Sequence, residues 1–255
     1  MAAAPPLMYS ENTVKSETFF VTIDLGSQAA TKPMTGIFVP ENFTEPAQLD
    51  VILWLMGHHD NGAYPPTMTI DDYWANYPHF KFRQFVNGGN KNVVLAAPSL
   101  GPSSQAGALM NRGGLAWYLD QVLAALPAYS STFKSTPVLG DLVIACHSGG
   151  GHPMRTIATT TQQYTDNIVE LWGFDCLYDD VDPTAWTNWA KGNGQKRLIV
   201  RYGSGGTDGH SLSLQKMAAK LSNVDVQGST GTEHNKVPVT YWQRFMRQAI
   251  FFADK

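Results

Sequence analysis

Residues 141–155 read Asp-Leu-Val-Ile-Ala-Cys-His-Ser-Gly-Gly-Gly-His-Pro-Met-Arg. A run of leucine, β-branched and small apolar residues stops at Cys146-His147-Ser148-Gly149-Gly150, and a helix can follow at once. A serine on so sharp a strand-to-helix turn is held in a strained backbone with its Oγ exposed. The residues two before and two after it must be small, because strand and helix pass close together there. This is the Gly-x-Ser-x-Gly nucleophile-elbow pattern, with Cys146 standing in for the first glycine. The helix start beneath Ser148 also aims free N–H groups at negative charge developing near the hydroxyl. A phosphate-binding reading lacks the Gly-Lys-Ser/Thr ending it needs. A purely structural glycine-rich turn is the other alternative.

Outward from this segment, short apolar runs alternate with stretches of helical period. Strands are expected over 19–25, 35–39, 51–56, 92–97, 141–145, 168–174, 197–202 and 224–227. Several are continuous apolar runs, such as Val-Ile-Leu-Trp-Leu at 51–55, as strands buried on both faces require. Helices are expected over 70–86, 114–126, 153–160, 183–191, 211–221 and 238–252. The first lies behind a Thr69-x-x-Asp72 capping signal, and the second carries a stripe of Leu115, Leu119, Val122, Leu123 and Leu126. Such alternation predicts a mostly parallel sheet with helices on both faces. The first two strands are joined too tightly for a helix, so the sheet is expected to begin with an antiparallel hairpin. Nothing resembles a linker or an internal repeat, and a single domain over 1–255 is expected.

Composition narrows the function classes. The chain has 255 residues, 43% of them hydrophobic, enough for a sizeable core and too many for a disordered chain. Lys+Arg 18 against Asp+Glu 21 gives a net charge of −3, which leaves no electrostatic footprint for nucleic acid or an anionic membrane. The two cysteines, Cys146 and Cys176, exclude a disulfide-rich scaffold and a cysteine-based zinc site. Ending adjacent strands side by side, they are expected to be free, buried thiols. No apolar run approaches the ~18 residues of a membrane-spanning helix. The start, MAAAPPLMYSEN, lacks a basic n-region and a long apolar h-region, so the protein is expected to be cytoplasmic or to have lost a secretion signal. A charged fraction of 15% suits a secreted protein. Compartment and oligomeric state stay open.

A hydroxyl nucleophile needs a base. The histidines are His58, His59, His79, His147, His152, His210 and His234. His234 falls in the loop 228–236, between the last strand and the last helix. Loops at the carboxyl ends of parallel strands converge on one crevice, so His234 is the expected base. His147 and His152 flank Ser148 but should point away from its Oγ, and His210 lies on a polar loop. For the carboxylate that orients the base, Asp175 and Asp208 compete. Asp175 ends a strand, a rigid and half-buried place where a carboxylate needs a partner; Asp208 sits among glycines. Asp175 is preferred. One oxyanion donor is expected to be the N–H of Gly149, the other a backbone N–H of His58 or His59. Those two imidazoles could instead bind metal with Asp60, but adjacent histidines on a turn rarely face one ion; neither metal nor cofactor is expected.

On these residues the sequence resembles the α/β-hydrolase superfamily across nearly its whole length, with the elements in the order Ser…Asp…His. Gly173-Phe174-Asp175 is similar to the Gly-Leu-Asp of pancreatic-type lipases, which carry the acid after the sixth strand; most of the superfamily carries it one strand later, where Asp208 would be. The resemblance implies an α/β-hydrolase fold with an eight-stranded, mostly parallel sheet. The short stretch 176–196 leaves no room for a large cap. Tyr178, Trp186 and Trp189 could line an open site, although tryptophans at helical spacing are more often packing residues, and the loop 60–69 with Tyr64, Pro65 and Pro66 is the other candidate wall. The expected function is that of a serine hydrolase acting on a small-molecule or polymer-derived carboxylic ester. Acyl transfer, amide or lactone hydrolysis, C–C cleavage with the same residues, and a non-catalytic binding protein are the alternatives. Superfamily membership alone does not set the substrate.

Overall fold

The structure, a computed structural model, describes residues 2–13, 15–26, 28, 32–59, 64–75, 80–160, 162–203, 206–229 and 231–255. Its strands are β1 (Leu7–Ser10), β2 (Glu17–Thr22), β3 (Met34–Val39), β4 (Gln48–Leu55), β5 (Val93–Pro98), β6 (Val138–His147), β7 (Ile168–Phe174), β8 (Arg197–Tyr202) and β9 (Val224–Gly228). They form one sheet in the order β1-β2-β3-β5-β4-β6-β7-β8-β9. The pairs β1–β2, β2–β3 and β3–β5 are antiparallel, and the pairs from β5 through β4 to β9 are parallel. The expected hairpin is therefore present, but the sheet has nine strands rather than eight. The extra one, β1, is exposed at all of its residues. Only Tyr9 packs inward, stacking on Phe20, so no apolar alternation marks the strand in the sequence.

The helices are α1 (Ile70–Ala75), α2 (Phe82–Gly88), α3 (Gly114–Tyr129), α4 (Gly151–Thr159), α5 (Asp182–Gly192), α6 (Asp208–Met217) and α7 (Val237–Gln248). The Thr69 N–H donates to Asp72 Oδ2 at 3.3 Å, so the capping signal at the start of α1 is in use. The single helix expected over 70–86 is instead two short ones. The sequence holds Pro78 between them, and a proline inside a helix removes a hydrogen bond and clashes with the preceding turn. Conversely, α3 runs past its expected end through Pro127 to Tyr129.

On one face of the sheet an aromatic cluster ties the central strands to the last helix. Trp54 of β4 meets Phe82 of α2 at 4.2 Å and Trp242 of α7 at 5.2 Å between ring centroids. Trp172 of β7 meets Trp242 edge-on at 5.7 Å, and Phe174 stacks on Phe245 at 5.1 Å. Truncating such a ring to alanine typically costs about 3–5 kcal/mol. The cluster therefore anchors α7, and the loop just before it, to the ends of β4 and β7. Trp186 and Trp189 of α5 are buried and pack on each other edge-on, so of the two roles open to them in the sequence they take the packing one. Only 175–181 separate β7 from α5, so no large cap is inserted there. Among the described residues no helix is long and apolar enough to cross a membrane.

Candidate active site

At the end of β6 a single 3-10 turn, Ser148–Gly150, leads directly into α4. Ser148 has φ +53°, the left-handed region that non-glycine residues seldom enter. The strand reverses into a helix here, and close packing explains the small residues. A Cβ on Gly150 would stand 2.5 Å from the carbonyl oxygen of Leu55 on β4. Cys146 pairs in register with Leu55 and Gly173. Both cysteines are buried and free, as expected. The Cys176 thiol is pushed up by its hydrogen bond with Cys146 and by burial.

His234 opens a 3-10 turn between β9 and α7. Its Nδ1 lies 2.6 Å from Asp175 Oδ2. A carboxylate only accepts, so Nδ1 carries the proton and Nε2 is left with its lone pair. Asp175 is buried and has φ +50°. Its N–H donates to the Arg201 carbonyl at 2.7 Å, and its Oδ1 accepts from the Gly203 N–H at 3.2 Å and from the Thr207 hydroxyl. Burial alone would raise its pKa. The hydrogen bonds from His234 and Thr207, with the His234 charge and the Gly203 N–H, outweigh burial and hold the carboxyl below its ordinary value. Asp208, the rival acid, is exposed at the start of α6 and accepts from the N–H of Gly209 at 2.9 Å. The structure brings Asp175, and not Asp208, to His234.

Ser148 and His234 line one small cavity of about 60 Å³ with Gly57, Tyr73, Phe80 and His147. His147 is not a bystander. Its ring lies 4.4 Å from that of His234, and its Nε2 donates to the His234 carbonyl at 3.2 Å. Burial, then the neighbouring His234, lowers its pKa to about 3, against the pull of that hydrogen bond and of Asp175. It is therefore a neutral imidazole with its proton on Nε2. Adjacency to Ser148 marks His147 in the sequence, but nothing there reveals that it faces the His234 loop.

Of the two expected oxyanion donors on the loop after β4, the His59 N–H is taken by the Pro102 carbonyl at 2.9 Å. The His58 N–H has no hydrogen-bond partner among the described residues. Gly149 is the second residue of the 3-10 turn, where an N–H has no partner within the helix. Asp60 and His79 lie outside the described residues, as does the first part of the expected wall 60–69. Of the remaining histidines, His152 Nδ1 is 3.7 Å from Asp179 and His210 Nδ1 is 4.0 Å from Asp180.

A larger cleft of about 350 Å³ is lined by Gly149 together with His58, Ser104, Met110, Pro153 and Tyr178. Burial raises the Tyr178 pKa, against the opposing effect of the nearby Ser148 hydroxyl. Its loop is stapled down. The Arg155 guanidinium binds Asp182 and, at 2.8 Å, Asp179, while Asp182 Oδ2 accepts the N–H groups of Tyr178 and Asp179 at 3.0 Å.

No family model matches the chain, and no curated protein matches it in sequence. Solved structures do resemble it. A thermostable esterase superposes with a TM-score of 0.54 at 13% identity, over 91% of this chain and 61% of that one. A siderophore hydrolase, EstB from Aspergillus nidulans, superposes with a TM-score of 0.51 at 12% identity, over 96% of this chain and 98% of that one. At such identities the likeness concerns the fold. The chain has the α/β-hydrolase fold, with one antiparallel strand added at the sheet edge.

Proposed function

We propose that the chain is a cofactor-independent serine hydrolase of carboxylic esters. The observation that carries this reading is the 2.6 Å contact between His234 Nδ1 and the buried Asp175 Oδ2, with His234 lining the same small cavity as Ser148 on its left-handed turn. In this reading Ser148 Oγ bonds to the acyl carbon and its proton passes to His234 Nε2. The carbonyl electron pair moves onto oxygen, facing the N–H groups of Gly149 and His58. Collapse breaks the bond to the alcohol oxygen, which takes the proton back from His234. Water then repeats the sequence on the acyl-enzyme, releasing the carboxylic acid and restoring Ser148. Asp175 keeps the imidazole in one tautomer and stabilises its cation. The open cleft beside Gly149, walled by Met110, Pro153 and Tyr178, accommodates a bulky substituent.

The test is turnover of a panel of p-nitrophenyl esters by the wild type and by Ser148→Ala, with labelling by a fluorophosphonate probe. The wild type should turn over at least one ester and label at Ser148, and the variant should do neither. Equal turnover by both proteins removes the nucleophile assignment.

A further inference from the structure

The turn after β5 brings a hydroxyl to the same place. Ser104 is 2% exposed, and its Oγ is buried with no hydrogen-bond partner among the described residues. Leaving a buried polar group unpaired is unfavourable, because it gives up its hydrogen bonds to water and gains none in return. Ser104 also has φ +60°, a conformation a glycine would adopt without strain. Two unfavourable features thus coincide in one residue.

Its surroundings hold it in place. The Ser104 N–H donates to Gly101 O at 2.8 Å, the Gly101 N–H to Gln105 O at 2.9 Å, and the Ser103 N–H to the Gln105 side chain at 2.9 Å. Pro102, within the same turn, accepts the His59 N–H, which locks the turn to the loop presenting His58. A Cβ built on Gly149 would lie 2.7 Å from Ser104 Oγ and 2.4 Å from His58 Nε2. Since a Cβ is only about 2.5 Å from its own backbone nitrogen, Ser104 Oγ is no more than about 5 Å from the Gly149 nitrogen. An oxygen accepting from that N–H at ~2.9 Å can therefore also accept from the hydroxyl.

We propose that Ser104 is a further catalytic residue, whose hydroxyl donates a hydrogen bond to the oxyanion that Ser148 generates, beside the N–H groups of Gly149 and His58. The unpaired hydroxyl finds its partner only when the acyl oxygen becomes negative. A donor so placed acts on the transition state more than on the ground state. The inference rests on the hydrolase reading above, and the test separates the two.

Ser104→Ala and Ser104→Gly are compared with the wild type on an ester the wild type hydrolyses. Both variants should lose kcat by on the order of 10²-fold with KM little changed. Inhibition by an alkyl trifluoromethyl ketone, which forms a tetrahedral adduct with the serine, should weaken by a similar factor, and binding of the matching unfluorinated methyl ketone should not. Neither variant should melt below the wild type, and Ser104→Gly should melt above it, since strain and an unpaired hydroxyl are both removed. Unchanged kcat and unchanged trifluoromethyl ketone affinity in Ser104→Gly overturn the role, as does an effect confined to KM. Failure of the wild type itself to label with a fluorophosphonate instead removes the hydrolase reading.

Discussion

The neutral state of His147 makes the protein's acid stability predictable. The residue is 3% exposed, and burial followed by the proximity of His234 lowers its pKa to about 3. In an unfolded chain the same group titrates near ~6.5. Below that pH the unfolded chain binds a proton that the folded one refuses. The stabilisation is therefore fully present above about pH 6.5 and is lost progressively as the pH falls toward 3. At about 1.4 kcal/mol for each pKa unit, the loss reaches about 3 kcal/mol at pH 4.5 and about 5 kcal/mol near pH 3. Against a total stability on the order of 5–15 kcal/mol, that is a large share. Asp175, whose pKa is also lowered, titrates in the unfolded chain only near ~3.9, so its contribution falls mostly below this window.

His147→Gln isolates the effect. A glutamine amide can still donate to the His234 carbonyl but does not titrate. Urea unfolding followed by tryptophan fluorescence at pH 7 and at pH 4.5 gives the free energy lost on acidification for each protein. The wild type should lose about 3 kcal/mol more than the variant over that interval, whatever offset the substitution causes at pH 7. Equal losses would refute the reasoning, because His147 would then take up its proton as readily in the folded protein as in the unfolded chain.

Two further outcomes follow from the site. Asp175→Asn should leave the fold intact and reduce kcat by on the order of 10⁴, by analogy with the serine-protease triad, while Asp208→Asn should change kcat less than about twofold; the ester assay on both variants checks this, and the reverse pattern would reject the acid assignment. The cysteines should resist iodoacetamide in the native protein, because both are buried and the Cys176 thiol is held protonated; after unfolding without reductant, mass spectrometry should find both alkylated.

Much of this architecture was legible in the sequence because strands buried on both faces read as unbroken apolar runs. The elbow was legible because its geometry demands small residues at fixed offsets from Ser148. What escaped depends on contacts distant in sequence. Strand β1 pairs through its backbone and keeps every residue at least partly open to solvent, so no alternation of residue types records it. Choosing between His58 and His59 turns on a hydrogen bond to Pro102, more than forty residues away. Trp186 and Trp189 look alike as wall or core residues in the sequence, and only the packing of α5 assigns them to the core. The position of His147 beside Ser148 fixes only its direction relative to the serine, whereas its partner is the His234 carbonyl, on the loop ahead of α7.

The backbone itself points to the same crevice. Among the described residues, six other than glycine have positive φ: Asn42, Asn90, Ser104, Ser148, Tyr164 and Asp175. Two are asparagines, which enter the left-handed region with little penalty. Of the other four, Ser104, Ser148 and Asp175 follow the carboxyl ends of β5, β6 and β7, where the loops of a parallel sheet converge. Conformations of this kind cost on the order of 1 kcal/mol and persist where the surroundings over-determine them. Around Asp175 the constraint is explicit, since the loop after β8 supplies Gly203 and Thr207 to one carboxylate oxygen and leaves the other for His234. The loop after β8 thus holds a carboxylate borne by the end of β7. The position of His234 therefore depends on the pairing of β7 with β8 as well as on α7, and a lesion in either strand should reach the imidazole through the same carboxylate.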